Sequence, residues 1–92
     1  MKYKCKSDVF VTELGDTLAL LDMENGTYYT LNQTGAFIWK KLSDGLSVEN
    51  TVDALVYEYD VLNENAFNDV NTLVVDLELK GLVALDDTAA RD

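Results

Sequence analysis

The chain predicts an α+β domain, a three-stranded antiparallel sheet followed by three helices. Three observations carry that reading. Two tight-turn signals, Gly15-Asp16 and Asn25-Gly26, separate short stretches rich in β-branched and aromatic residues. Two cap residues, Asn32 and Ser47, each stand before a stretch whose apolar residues recur at helical spacing. A third such stretch runs to Gly81, which suits a helix stop.

Taken in order, residues 1–8 read as a loosely held, locally basic lead-in. Residues 9–14 form a first strand, and Gly15-Asp16 turns it back on residues 17–22, a second strand whose apolar content marks it as central. Asn25 and Gly26 tolerate the positive φ of a tight hairpin, and Thr27-Tyr28-Tyr29-Thr30-Leu31 follows as the third strand. Connections this short give a meander with the third strand at an edge. Asn32 then caps a first helix over 33–42, in which Gly35 allows close packing and Trp39 belongs to the core. That helix ends near Asp44-Gly45. Ser47 caps a second helix with Val48, Val52, Leu55, Val56 and Tyr59 on one stripe. Residues 60–64 read as a linker, and a third helix begins near Asn65 or Ala66 and runs to Lys80. Its stripe is Phe67, Val70, Val74 and Leu77, with Ala66 and Leu73 on the shoulder and Val75 and Leu79 pointing away. Residues 82–85 run extended along the body, and residues 86–92 read as a frayed tail. The whole is a single domain over 1–92 with an ordered body at about 8–85, similar in arrangement to a winged helix-turn-helix.

Composition narrows the function. The net charge is −10, and no Lys or Arg occurs between Leu42 and Leu79, where nine carboxylates fall. Most of these read as a solvated surface, but together they repel phosphates and attract cations or basic peptides. The third helix carries Asp69, Asp76 and Glu78 where a DNA reader presents basic residues, which argues against nucleic acid. Apolar runs are only a few residues long, so no membrane span is expected, and the charged N-terminus has no hydrophobic region behind it to make a signal peptide. The lone Cys5 cannot form an internal disulfide and fits a reducing, cytoplasmic setting. Catalysis has little to work with. There is no His, Cys5 reads as a bystander thiol, the carboxylates lack the density of a calcium loop, and no glycine-rich phosphate loop appears. The expectation is a non-enzyme with no metal and no cofactor.

One string of residues adds a resemblance. Leu21-Asp22, Gly26, Tyr29, Leu31-Asn32, Gly35-Ala36, Ile38-Trp39 and Leu42, continued by Asp44-Gly45, Asp69-Val70, Leu73-Val74, Leu77 and Gly81-Leu82-Val83, resembles the signature of the PqqD-like family over residues 9–85. These are peptide-recognition domains of ribosomally made, modified peptides (RiPP recognition elements). The resemblance implies that the leader segment of a precursor peptide binds as an extra strand beside the third strand, in a groove whose other wall is the third helix. Carried onto this chain, the groove involves Tyr28, Tyr29, Thr30 and Leu31, facing Asp69, Leu73, Asp76, Leu77 and Lys80. Tyr29 and Leu31 occupy in-facing positions that also serve the core, whereas Tyr28 and Thr30 alternate to the other face. Leu73 and Leu77 suit both core and groove floor. Asp69 and Asp76 are solvated helix charges or contacts for a basic leader residue. The implied partners are the precursor leader peptide and a separate modifying enzyme, a leader peptidase of a lasso-peptide pathway. Two alternatives stay open, a PQQ-type peptide chaperone serving a radical SAM enzyme and a structural subunit that self-associates through the edge strand.

Overall fold

Gly15 and Gly26 take φ of 64° and 70°, the left-handed region that admits glycine without strain, and they set both hairpin turns where the sequence has them. The computed structural model describes residues 1–86, in the order β1 (Tyr3–Cys5), β2 (Val9–Leu14), β3 (Thr17–Asp22), β4 (Thr27–Leu31), α1 (Gln33–Ser43), α2 (Val48–Tyr59), α3 (Asn63–Leu79) and β5 (Val83–Leu85). The sheet order is β2-β3-β4, antiparallel throughout, so the expected meander is present with β3 central. Asn32 caps α1 by accepting from the Gly35 N–H at 2.9 Å, and Ser47 caps α2 by accepting from the Asn50 N–H at 3.0 Å.

Three expectations need correction. The lead-in is not loose: β1 pairs antiparallel with β5, Lys4 opposite Ala84, and the Lys6 N–H donates to the Leu82 carbonyl at 2.9 Å. A three-residue strand whose partner lies some eighty positions away leaves no local signal. Helix α3 starts at Asn63 rather than near Asn65 or Ala66, with Leu62 at the cap position and no side-chain bond there. Phe67 is 52% exposed, because the buried row is Ala66, Val70, Val74 and Leu77 and Phe67 falls to one side of it. The expected tail lies outside the described residues except for Asp86, whose N–H donates to the Lys2 carbonyl at 2.9 Å.

Two apolar clusters make the core. Leu18, Leu20, Leu31, Ala36, Trp39, Leu77, Leu82 and Val83 join the inner face of the sheet to α1, the end of α3 and β5. Ile38, Leu42, Val48, Val52, Leu55, Ala66, Val70 and Val74 join the three helices. Each fully buried Leu or Val contributes about 1.5–3 kcal/mol of transfer free energy. Leu73 is half-buried against both clusters. Register fixes the faces of the sheet: Leu20 opposes Tyr29 and Leu18 opposes Leu31 inward, while Leu21 opposes Phe10 and Tyr28 outward.

The β3–β4 turn is built around the buried Asp22. Its carboxylate takes Lys6 Nζ at 3.1 Å, the Glu24 N–H at 3.0 Å and the Asn25 side-chain amide at 3.0 Å. Burial pushes this carboxyl up, but the bonds from Lys6, Asn25 and Glu24 together outweigh it and hold Asp22 below the usual carboxylate range. The first residues of the chain are thereby tied to the strand that opens the groove.

Candidate functional site

Among the described residues no strand pairs with the outer side of β4, so alternate N–H and C=O groups along Thr27–Leu31 stand open. Helix α3 faces that edge across a cavity of about 590 Å³. Its walls are Ile38 and Gly35 from α1, Leu73, Val75 and Leu79 from α3, and Tyr29 from β4, with Asp69, Thr72 and Asp76 adding polar groups. A smaller cavity of about 250 Å³ lies on the other side of Tyr29, lined by Leu20, Asp22, Thr27, Tyr28, Lys80 and Leu82. Gly35 packs its bare Cα against the junction of β4 and α1. A Cβ there would meet Asn32 Oδ1 and Leu31 Cβ, each at 3.3 Å.

The wall between the two cavities is a three-residue bridge. The Tyr29 hydroxyl donates to Asp76 Oδ2, Lys80 Nζ donates to Asp76 Oδ1 at 3.0 Å, and the same ammonium lies 4.9 Å from the centre of the Tyr29 ring. Asp76 and Lys80 meet because they are four residues apart on one helix face. Tyr29 reaches them because it points inward from the edge strand. The bonds from Tyr29 and Lys80 hold the Asp76 carboxyl below its ordinary range, and the Asp76 bond, with burial behind it, pushes the Tyr29 phenol up to about 12. At neutral pH the bridge therefore consists of a neutral phenol, a carboxylate and an ammonium.

The residues named from the sequence divide into groups. Tyr29, Asp69, Leu73 and Asp76 come together around the larger cavity, and Tyr28 and Lys80 line the smaller one. Tyr28 is 74% exposed and Thr30 is exposed, both on the outer face. Leu31 and Leu77 are buried in the core and line neither cavity. Sequence reasoning missed the contribution of α1, namely Asn32, Thr34, Gly35 and Ile38, and that of Thr72, Val75 and Leu79. Gly35 within a helix was the available signal, since it marks a point where an added side chain would crowd its neighbours. Val75 and Leu79, read as pointing away from the core, are the exposed lip of the groove.

The arrangement can hold an extended chain by its backbone and receive apolar side chains. Cys5 stands apart from it, 3.4 Å from Ser43 Oγ, and burial pushes its thiol up. Among the described residues no group of three or more His, Cys, Asp or Glu could hold a metal ion, and no helix is long and apolar enough to cross a membrane.

Sheet, helices and groove define a class, small α+β domains in which an open sheet edge faces a helix across a side-chain-lined channel. The chain belongs to the PqqD family, whose model, described as coenzyme PQQ synthesis protein D (PqqD), matches residues 17–83. It is similar to two solved structures. One is TbiB1 in complex with the TbiA(beta) leader peptide, 30% identical, with 90% of this chain and 99% of that chain covered and a TM-score of 0.82. The other is a lasso peptide synthetase B1 complexed with the leader peptide, 29% identical, with 92% and 100% covered and a TM-score of 0.82. A search of curated proteins finds no match.

Proposed function

We propose that this chain is a non-catalytic binding module. It captures the leader segment of a ribosomally made precursor peptide as a strand added to β4, against α3, and presents it to a separate processing enzyme. The observation that carries the reading is the open edge of β4 facing α3 across the cavity. Backbone bonds along that edge supply affinity and the cavities beside it supply choice. Two solved structures similar to this chain over nine-tenths of its length are themselves leader-peptide complexes, which supports the reading. The site groups are Tyr28, Tyr29 and Thr30 on the strand and Asp69, Leu73, Asp76 and Lys80 on the helix, while Leu31 and Leu77 hold both walls from beneath.

The enzyme served is the leader peptidase of a lasso-peptide pathway, and the setting is the cytoplasm, where precursor peptides are made. A Kd of 1 μM requires only about 8 kcal/mol, within reach of several backbone bonds and two apolar anchors. Once bound, the peptide is tethered near its enzyme at an effective concentration in the millimolar range, with no chemistry asked of the binder. The family description, coenzyme PQQ synthesis protein D, favours a second reading, the PQQ-type chaperone serving a radical SAM enzyme that the sequence resemblance implies. The neighbouring genes separate the two. A precursor, a protease and a cyclase mark the lasso pathway.

The test is titration of a fluorescent leader peptide, encoded by the adjacent precursor gene, into the purified chain. Saturation at micromolar concentration or below is expected, and it should be lost when a proline replaces a residue whose N–H would pair with β4. No saturation at several hundred micromolar would reject leader capture, and concentration-dependent dimerisation without peptide would favour self-association through the edge.

A further inference from the structure

Four charged side chains line the two cavities, Asp22, Asp69, Asp76 and Lys80. Three of them are already neutralised. Asp22 is paired with Lys6 at 3.1 Å, and Asp76 with Lys80 at 3.0 Å. Asp69 makes no ion pair or hydrogen bond among the described residues. Its carboxylate is exposed on the rim of the larger cavity, one helical turn from Leu73 on the same face of α3. Along α3 itself no Lys or Arg lies within a helical turn of it, since Leu42 to Leu79 holds neither.

We infer that Asp69 is the charge-reading residue of the groove, selecting peptides that carry a Lys or Arg beside the apolar side chain entering the larger cavity. Asp76 is a positioning residue, which holds α3 to β4 and makes no charge contact with the peptide. The inference rests on the leader-capture reading and separates two carboxylates that look equivalent in the sequence. Its physical basis is the difference in pairing. A carboxylate that already accepts from a phenol and an ammonium gains little from a third donor, while an unpaired one beside an apolar wall attracts a cation and repels an acid. Spacing follows as well. One turn of helix advances 5.4 Å, and two residues of strand advance about 6.7 Å. The basic residue therefore stands two positions from the apolar anchor, on the same face of the added strand.

The experiment uses the leader peptide encoded beside this chain's gene, fluorescently labelled, together with versions in which each Lys or Arg is replaced singly by Gln. Each is titrated into the parent chain, Asp69→Asn and Asp76→Asn at low and high salt. The parent leader should bind Asp69→Asn about two- to fivefold more weakly at low salt, the size of an exposed ion pair, and the difference should fade at about 1 M salt. For one substituted peptide that difference should vanish even at low salt, because its partner charge is gone. Asp76→Asn should weaken every peptide by the same factor. An Asp69→Asn variant equal to the parent, a weakening identical for all peptides, or a bound leader without Lys or Arg would overturn the assignment. A parent chain that binds no leader at all would instead reject the leader-capture reading and the assignment with it.

Discussion

The sheet has two free edges among the described residues, and they differ in what stands beside them. On the inner face of β2 Val11 is 42% exposed, and the far end of the strand is held to α1 by an exposed ion pair between Glu13 and Lys40 at 2.6 Å. The edge at β4 has α3 across from it, a cavity on each side of Tyr29, and the buried Asp22 network at its start. Both edges offer the same backbone groups. The proposed capture at β4 therefore rests on a second wall, which adds side-chain contacts beside the open edge and holds the strand in place. On this chain that wall is α3.

Several substitutions break or sharpen the contrast. The largest effect is expected from Leu73→Asp, which sets a charge in the groove. Leader affinity should fall about 100-fold, or roughly 3 kcal/mol, in a fluorescence titration. Val11→Asp, on the inner face of β2, should stay within about twofold of the parent. Far-UV circular dichroism should remain native in both variants, and equal losses would erase the distinction between the edges.

Stability should divide the edges in the same way. Asp22→Ala removes the acceptor of Lys6 and of the Glu24 and Asn25 amides in a buried setting, so the melting temperature should drop by several degrees. Glu13→Ala removes a pair open to solvent and should shift it by no more than about a degree. Comparable shifts in thermal melts would show that the turn before β4 is no firmer than the end of β2.

A smaller effect concerns pH. The phenol of Tyr29 is raised from 10.0 to about 12, so the folded state holds its proton more tightly than the unfolded chain does. That contribution is complete below pH 10 and is lost as pH rises from 10 to about 12. The Asp76 and Asp22 carboxyls are shifted the other way, below 3.8. Their contribution is complete well above that value and is lost as pH falls below it, through the lower values of the folded state. Tyr29→Phe should flatten the alkaline limb of the stability profile and leave the acid contribution of Asp22 in place. An unchanged alkaline limb would mean that the bridge does not couple to folding.

Much of the frame was legible in the sequence because its signals are local. Asn25-Gly26, Asn32, Ser47 and Gly81 each mark a turn or a helix end through their own backbone chemistry, and each acts where expected. What escaped depends on distant partners. The strand Tyr3–Cys5 exists only because Val83–Leu85 comes back beside it. The dual nature of Tyr29, inward on the strand yet hydrogen-bonded to Asp76 forty-seven residues on, has no signature in its neighbours. The same holds for the difference between Asp69 and Asp76, which look alike on a helical wheel and differ only in what reaches them. Leu31 and Leu77 illustrate the opposite case. Their apolar character was plain, but the sequence could not tell groove floor from core interior.

The most direct test of the central claim is amide hydrogen exchange with the leader peptide bound and absent. The account predicts that the β4 amides not bonded to β3 become protected on binding while those on the outer side of β2 do not change. Protection appearing on β2 instead, or on neither edge although the peptide is bound, would contradict capture at β4.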